Sequence, residues 1–287
     1  MAVGDRHLQG ASIKLPISAQ DDYATANVPA LAGVDVASAA NLFGGARDET
    51  KFGGETGLRR VKPFSAIEIA RIATLIKERL LVAAREQSRE LVDVCTALPL
   101  ERWHEIKLPY DHGALLSKRN RVLSLDATRE IMKMSAFDHL RETFGDFYLY
   151  DEDEFGQEEI SFRLVRPGKR EDVGRLHADD WFWKFYNLNR PAGTHRVKLW
   201  TLVHGDAATA GLRLAPGSHF LNATFRSEKQ GNKVIFESDV DWRTIGLRQY
   251  VGQIGEPILF NHKTLHVGSM NFGAESRVSF ETTIMFR

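Results

Sequence analysis

Residues 175–179 read Arg-Leu-His-Ala-Asp, and this short stretch places His177 and Asp179 two positions apart. In a β-strand, residues i and i+2 project from the same face, so the imidazole and the carboxylate would point together. Both groups are ligands that divalent metal ions accept in proteins. The stretch therefore predicts the end of a strand that carries two ligands of a metal centre.

Short runs that are typical of β-strands surround this stretch, separated by Gly, Pro, Asn and Asp. Closely spaced short strands with turn residues between them indicate a β-sandwich or barrel. We therefore expect a mainly β core with a jelly-roll arrangement. The predicted strands are residues 147–150, 160–166, 175–177, 196–203, 212–215, 233–236, 249–254, 257–260 and 278–286.

Two helices are predicted ahead of the β core. The pattern Ser65-x-x-Glu68 is a capping box, and the apolar residues after it recur at roughly helical spacing. This first helix is expected to continue towards Val94 and to end before Pro99. A second helix is expected over residues 126–144, with Asp126 as its N-cap and Gly145 at its end.

The domain organisation follows from these elements. Residues 1–62 show no clear periodicity and contain paired glycines, which predicts an irregular N-terminal arm. Residues 63–287 are expected to form a single catalytic domain of the α+β class, with helices in 63–145 and the jelly-roll core in 146–287.

Composition excludes several classes of protein. Hydrophobic residues make up 43% and charged residues 26% of the 287, as in ordinary soluble domains. The 38 basic and 38 acidic side chains balance, which argues against general nucleic-acid binding. The single cysteine, Cys95, excludes an internal disulfide framework and a cysteine-rich zinc site. Without an apolar run of membrane-spanning length or an apolar leader, we expect a cytoplasmic protein with a small-molecule partner and no membrane partner.

A second His-x-Asp match at His204 and Asp206 competes with the first. In an eight-stranded jelly roll, we expect the first two ligands to follow strand two and the last to follow strand seven. The predicted strands between His177 and His266 fit this count, whereas the count from His204 falls one short. The stretch after His204 also has the composition of a turn, so we favour His177 and Asp179.

The third ligand is expected after the late strand 257–260, where His262 and His266 are both available. We assign His266 as the ligand and His262 as a turn residue or a support behind the ligands. Two histidines and one carboxylate on one face of an octahedron leave three positions open, which is the arrangement in non-haem Fe(II) oxygenases.

Arg277 follows His266 by eleven positions on the last predicted strand. Its planar guanidinium can hold a carboxylate through two parallel hydrogen bonds. Ser279 lies two residues further on, on the same face of the strand, and can donate another hydrogen bond. An outward-facing Arg277 in a surface ion pair is the alternative. Arg163, on an early strand, faces either an anionic group inside or the solvent.

Taken with these residues, the chain resembles the Fe(II)- and 2-oxoglutarate-dependent dioxygenases, and more narrowly their phytanoyl-CoA dioxygenase-like branch. The resemblance rests on His177-x-Asp179, on His266 and Arg277, and on the segment 211–219 that ends Pro-Gly-Ser-His. It covers about residues 145–287. It implies a double-stranded β-helix, a cupin-like jelly roll, with flanking N-terminal helices.

The resemblance also implies a site and a reaction. His177, Asp179 and His266 would hold Fe(II), while Arg277, Ser279 and Trp200 would bind 2-oxoglutarate. With O2, the enzyme would hydroxylate an unactivated C–H bond of a small-molecule substrate and release succinate and CO2. Relatives that halogenate carry Gly or Ala in place of the aspartate, so Asp179 favours hydroxylation. For Trp200, a plain core position is the alternative.

Two other readings of the sequence stay open. A cupin-like metal-dependent isomerase or hydrolase could use the same three ligands, but it would have no use for Arg277 and Ser279. A non-catalytic jelly-roll module for ligand binding would not require the three ligands to converge. The aromatic run 181–186, Trp-Phe-Trp-Lys-Phe-Tyr, is interpreted either as a pocket wall or as a hydrophobic flap.

Overall fold

The computed structural model describes residues 22–26, 28–31, 56–152, 154–188, 193–230 and 233–286. The helices are α1 (Asp22–Thr25), α2 (Ala66–Arg85), α3 (Arg89–Ala97), α4 (His112–Leu115), α5 (Leu125–Ile131), α6 (Ser135–Phe144), α7 (Asp179–Tyr186) and α8 (Ala207–Ala210). The strands are β1 (Leu58–Arg60), β2 (Phe147–Leu149), β3 (Ser161–Val165), β4 (His195–His204), β5 (Leu212–Leu214), β6 (Phe225–Gln230), β7 (Lys233–Ser238), β8 (Arg248–Gln249), β9 (Pro257–Asn261), β10 (His266–Gly268) and β11 (Arg277–Phe286). Among these helices, none is both long and apolar enough to cross a membrane.

The strands form a large sheet, a small sheet and a hairpin. The large sheet has six strands in the order β1-β9-β4-β11-β2, and β3 also pairs with β11. The small sheet has the order β10-β5-β8, and β6 pairs with β7. Every pairing between these strands is antiparallel. The predicted combination of N-terminal helices and antiparallel sheet is confirmed.

Alternation along β11 separates two layers of packing. Val278, Phe280 and Ile284 project from one face of the large sheet into a core that they share with Ile72 and Ile76 of α2. Side chains of the opposite face pack against the small sheet in a second apolar cluster, whose members include Trp200, Ile258, Phe260, Leu212, Leu214 and Tyr250. Burial of each such large apolar side chain contributes about 1.5–3 kcal/mol. The face towards the small sheet, here called the inner face, carries the residues of interest.

The first predicted helix is in fact two helices, so the prediction of one continuous helix was wrong. Helix α2 ends at Arg85, and Ser88 begins α3 because its side chain accepts a hydrogen bond from the Leu91 amide at 3.1 Å. A serine side chain that accepts a hydrogen bond from a backbone amide competes with the hydrogen bonds of a continuous helix, and it therefore favours the start of a new one. The apolar periodicity carries across this break, which is why the sequence pattern did not reveal it.

The second predicted helix is also divided, into α5 and α6. The N-cap of α5 is Ser124, which accepts from the Ala127 amide at 3.3 Å, so the assignment of Asp126 as the cap was wrong by two positions. Gly145 ends α6 with a φ of 85°, as predicted. A positive φ of this kind is open to glycine at little cost.

Several strand predictions need correction. Residues 249–254 contribute only the end of β8, and residues 175–177 form an isolated bridge at His177 instead of a full strand. Strand β1 lies inside the segment that was expected to be irregular and pairs with β9. Most of the remaining arm lies outside the described residues. The aromatic run after Asp179 forms helix α7.

The carboxylate of Glu68 joins the starts of α2 and α6. It accepts from the Ser65 amide at 2.7 Å, which completes the predicted capping box, and from the Ser135 amide at 2.7 Å. Although burial raises the pKa of Glu68, the hydrogen bonds from Ser135 and Ser65 outweigh it and lower this pKa to about 2. The ionised form is therefore stabilised by folding.

We expect Glu68→Gln to lower the free energy of unfolding at pH 7 by about 1–2 kcal/mol, because a neutral amide accepts these hydrogen bonds less strongly. The lowered pKa means that the stabilisation is fully present above the unfolded-state pKa of about 4.3 and is lost as the pH falls towards 2. Urea unfolding of both proteins from pH 7 to pH 3 measures the difference. Glu90→Gln, in the exposed first turn of α3, is the control; an equal loss there would contradict the prediction.

Candidate metal centre

Two histidines are brought together by a β-bridge between the chain before α7 and strand β10. The His177 amide donates to the His266 carbonyl at 3.0 Å, and the His266 amide donates to the His177 carbonyl at 2.8 Å. Residues that exchange both hydrogen bonds in this way lie directly opposite each other and project to the same side. The two imidazole rings accordingly lie 4.4 Å apart between centroids.

Asp179 completes the cluster from the first turn of α7. The ligand atoms of His177, Asp179 and His266 all lie within 4.8 Å of one another. The Asp179 carboxylate is 3.8 Å from Nε2 of His177 and 3.7 Å from Nε2 of His266. The structure therefore brings together the three residues that the sequence predicts as metal ligands.

The two residues of the competing His-x-Asp match, His204 and Asp206, have other contacts. Nε2 of His204 lies 2.9 Å from the Glu275 carboxylate, in an exposed position at the end of β4. Asp206 caps α8, where its side chain accepts from the Ala208 amide at 2.9 Å. A capping role of this kind accounts for an aspartate before a short helix without any metal.

The orientation of both imidazole rings suits a metal ion. Nδ1 of His177 donates to the Arg175 carbonyl at 2.7 Å, and Nδ1 of His266 donates to the Thr264 carbonyl at 2.9 Å. Because a carbonyl only accepts, Nδ1 carries the proton in each ring and Nε2 keeps its lone pair. A metal-ligating histidine is held by a hydrogen bond of this type on its other nitrogen.

The protonation states also fit a cation between these groups. Burial and the neighbouring His266 lower the pKa of His177 to about 4, so its ring is neutral at pH 7. Burial alone would raise the pKa of Asp179, but Lys198 and the two histidines lower it, so the carboxylate is ionised. Oδ2 of Asp179 is buried and has no hydrogen-bond partner in the described part of the chain. A bound cation would satisfy this oxygen.

A network behind the ligands holds the start of α7. Oδ1 of Asp180 accepts from Arg196 at 2.8 Å and lies 3.3 Å from Nε2 of His262, whose Nδ1 donates to the Arg196 carbonyl at 2.9 Å. The Asp180 amide donates to the His262 carbonyl at 3.0 Å. His262 thus faces Asp180, whereas His266 faces Asp179. The network fixes the backbone next to Asp179.

Arg277 is buried on the inner face, at the beginning of β11, with 2% of its surface exposed. Its Nη1 atom donates to the Gly211 carbonyl at 3.5 Å, and its Nε atom has no hydrogen-bond partner among the described residues. Burial and then Arg163 lower the pKa of Arg277 to about 10, so it still carries its charge at pH 7. A buried guanidinium with so few acceptors favours an anionic ligand.

Trp200 and Ser279 lie near this guanidinium. The Arg277 guanidinium carbon is 6.0 Å from the centroid of the Trp200 indole, at the outer limit of a cation–π contact. Trp200 also packs edge-on against Tyr250 in the apolar cluster between the sheets, so it is a core residue as well. Ser279 is buried on β11 opposite Leu202 of β4, after a shift in register at Val278.

Two charged residues of this interior, Lys198 and Glu281, escaped the sequence analysis. Lys198 donates to Glu152 at 2.8 Å, and Glu281 accepts from Arg163 at 3.3 Å. Their positions follow a signal that was available, because Lys198 lies two residues before Trp200 and Glu281 lies two residues after Ser279. Alternation along a strand places each pair on the same face.

Comparison with known proteins adds evidence on the fold. No protein-family model matches the chain, and no curated protein is similar to it in sequence. EctD from S. alaskensis, solved with 2-oxoglutarate and 5-hydroxyectoine, is 15% identical, with a TM-score of 0.50 over 90% of this chain and 82% of that chain. The chain shares its fold with EctD.

Other solved structures are more distant. The non-heme monooxygenase ThoJ in its apo form is 14% identical, with a TM-score of 0.47 over 81% of this chain and 75% of that chain. EvdO2 from Micromonospora carbonacea var. aurantiaca, complexed with 2-oxoglutarate, is 14% identical, with a TM-score of 0.42 over 56% of this chain and 64% of that chain. EctD has also been solved with bound Fe. At the level of the fold, the expected resemblance therefore rests on EctD, which was solved with 2-oxoglutarate.

Proposed function

We propose that this protein is an Fe(II)- and 2-oxoglutarate-dependent oxygenase that hydroxylates an unactivated C–H bond of a small molecule. The observation that carries the proposal is the convergence of His177, Asp179 and His266 within 4.8 Å, with a buried carboxylate oxygen lacking a hydrogen-bond partner among the described residues. The shared fold with EctD, which has been solved with 2-oxoglutarate, supports it. We also propose the double-stranded β-helix topology and membership of the phytanoyl-CoA dioxygenase-like branch, on the sequence motifs.

Each group of residues has a task in this proposal. His177, Asp179 and His266 would hold Fe(II), and Arg277 with Ser279 would hold the far carboxylate of 2-oxoglutarate. The bound iron, with 2-oxoglutarate and O2, supplies the oxidising chemistry and releases succinate and CO2. The chain contributes position, because the carbonyl oxygens behind His177 and His266 keep both Nε2 atoms directed towards Asp179.

The competing functions account for fewer of these features. A metal-dependent isomerase or hydrolase explains the three ligands but gives no role to the buried guanidinium of Arg277. A metal-free binding module leaves the Asp179 carboxylate oxygen without a partner in the described part of the chain. Asp179 itself favours hydroxylation over halogenation, since its carboxylate occupies the position that halogenating relatives leave open.

Anaerobic titration tests the proposal directly. We expect 2-oxoglutarate to produce a visible absorption band when it is added to the Fe(II)-loaded protein, because the keto acid chelates the iron. Succinate release on admission of O2 is the second measurement. His177→Ala, which lacks one of the three candidate ligands, is the control and should show neither the band nor succinate release. Binding of 2-oxoglutarate with equal affinity in the absence of metal would favour a binding module instead.

A further inference from the structure

Arg163 lies on the inner face of the large sheet, on strand β3, which pairs with the strand that carries Arg277 and Ser279. Its neighbours on β3, Phe162 and Leu164, project into the core shared with the helices, so alternation directs Arg163 towards the small sheet. In the pairing of β3 with β11, Arg163 is opposite Ser279. The guanidinium therefore projects from the strand next to the one that carries Arg277.

The guanidinium of Arg163 is only partly used. Its Nε atom donates to the Glu281 carboxylate at 3.3 Å, and no other hydrogen bond from Arg163 is formed within the described part of the chain. This contact leaves the two terminal nitrogens, which form the planar fork that matches a carboxylate. The side chain is 39% exposed, unlike the buried Arg277, so a molecule arriving from solvent can reach it.

Glu281 keeps Arg163 in this position. Burial by itself would raise the pKa of Glu281, but Arg163 and Lys198 outweigh it and lower this pKa to about 2. The carboxylate is therefore ionised at neutral pH and orients the guanidinium through Nε. Arg163 and Glu281 thus lie together on the inner face, where β3 pairs with β11.

Polar side chains continue further along β11 and the neighbouring β4. Glu152 accepts from Lys198 of β4 at 2.8 Å and from Thr283 of β11 at 2.6 Å. Among the aromatic side chains of α7, Trp181 stacks on Phe225 at 4.9 Å between centroids, and Trp183 donates to Glu152 at 3.3 Å. The aromatic run is thus partly a structural anchor.

We propose that the substrate of this enzyme is a small carboxylate whose anionic group is held by the terminal nitrogens of Arg163. This inference rests on the proposed oxygenase function and adds the class of substrate to it. Arg277, which is deeper and fully buried, would serve the cosubstrate, while the more accessible Arg163 would serve the molecule that is exchanged in each turnover. Two arginines at different depths give the site two separate carboxylate subsites.

The test compares small carboxylates, including amino acids and hydroxy acids, with their primary amides. We expect succinate release above the substrate-free rate with one or more carboxylates and not with the matching amides. Isothermal titration of the stimulating carboxylate into the metal-free protein gives a second readout that does not depend on turnover. Arg163→Gln is expected to weaken this binding and kcat/KM by at least about tenfold, the effect of losing a charge-assisted bidentate contact.

Arg141→Gln is the matched control, because Arg141 is exposed to a similar extent and pairs with Asp138 within helix α6, in the helical layer. The inference would be overturned if amides stimulated succinate release as strongly as carboxylates do. It would also be overturned if no carboxylate stimulated succinate release while 2-oxoglutarate still bound the Fe(II)-loaded protein. Equal stimulation of Arg163→Gln and wild type would do the same. A loss of 2-oxoglutarate affinity in Arg163→Gln as large as that in Arg277→Ala would reassign Arg163 to the cosubstrate. Failure of 2-oxoglutarate to bind the wild-type protein would instead remove the proposed function.

Discussion

Replacement of His177, Asp179 or His266 by alanine is expected to abolish Fe(II) binding and iron-dependent succinate release. Each residue supplies one ligand atom of a cluster that spans no more than 4.8 Å, so two remaining ligands would leave the ion held largely by water. Fe(II) titration under anaerobic conditions measures the affinity, and succinate release measures turnover. Circular dichroism and thermal unfolding of the metal-free variants show whether the fold is retained.

His262→Ala is the matched control for His266→Ala. Both histidines are buried and both donate through Nδ1 to a backbone carbonyl, but Nε2 of His262 lies beside Asp180. We expect His262→Ala to lose about 1–3 kcal/mol of stability, because a buried carboxylate loses a neighbour, and to keep its iron affinity. Iron binding that survives in His266→Ala but is lost in His262→Ala would contradict the assignment of the third ligand. If His204→Ala and Asp206→Ala were inactive instead, the metal site would have to be assigned to His204 and Asp206.

The proximity of His177 and Asp179 could be predicted from their local spacing, whereas His266 joins them only through a bridge between distant segments. His177 does lie in extended chain, paired with His266. Asp179, however, is the first residue of α7 and does not follow the strand, so the rule of residues two apart on one face applies only in part. The two side chains still lie on the same side because Ala178 is extended, with φ −120° and ψ 140°.

The partners of the charged side chains could not be found in this way. Alternation indicates that Arg163 and Glu281 each face inward, but they lie 118 residues apart in the chain and meet only because β3 pairs with β11 in one register. Asp180 at the start of α7 and Arg196 at the start of β4 also meet only in the folded chain, where Arg196 donates a hydrogen bond to Asp180. Periodicity identifies a face, whereas register between distant strands decides which residues touch.

Arg277→Ala is expected to raise the 2-oxoglutarate requirement steeply while affecting iron affinity little. The guanidinium is buried and its Nε atom lacks a hydrogen-bond partner among the described residues, so it is prepared for an anion that the chain itself does not supply. Loss of one partner of a buried, charge-assisted pair costs roughly 2–5 kcal/mol, or tens to thousands-fold in affinity. Arg277→Lys should recover only part of this loss, because an ammonium cannot reproduce the planar fork.

Ser279→Ala completes the series with a smaller expected effect of about 1 kcal/mol, the contribution of one ordinary hydrogen bond. Anaerobic 2-oxoglutarate titration of the Fe(II)-loaded variants measures all three affinities on one scale. The expected order of loss is Arg277→Ala, then Arg277→Lys, then Ser279→Ala, since a charged fork, a point charge and a neutral donor differ in strength in that order. An unchanged affinity in Arg277→Ala would remove the main support for a 2-oxoglutarate enzyme, and the three metal ligands would then fit an isomerase or hydrolase better.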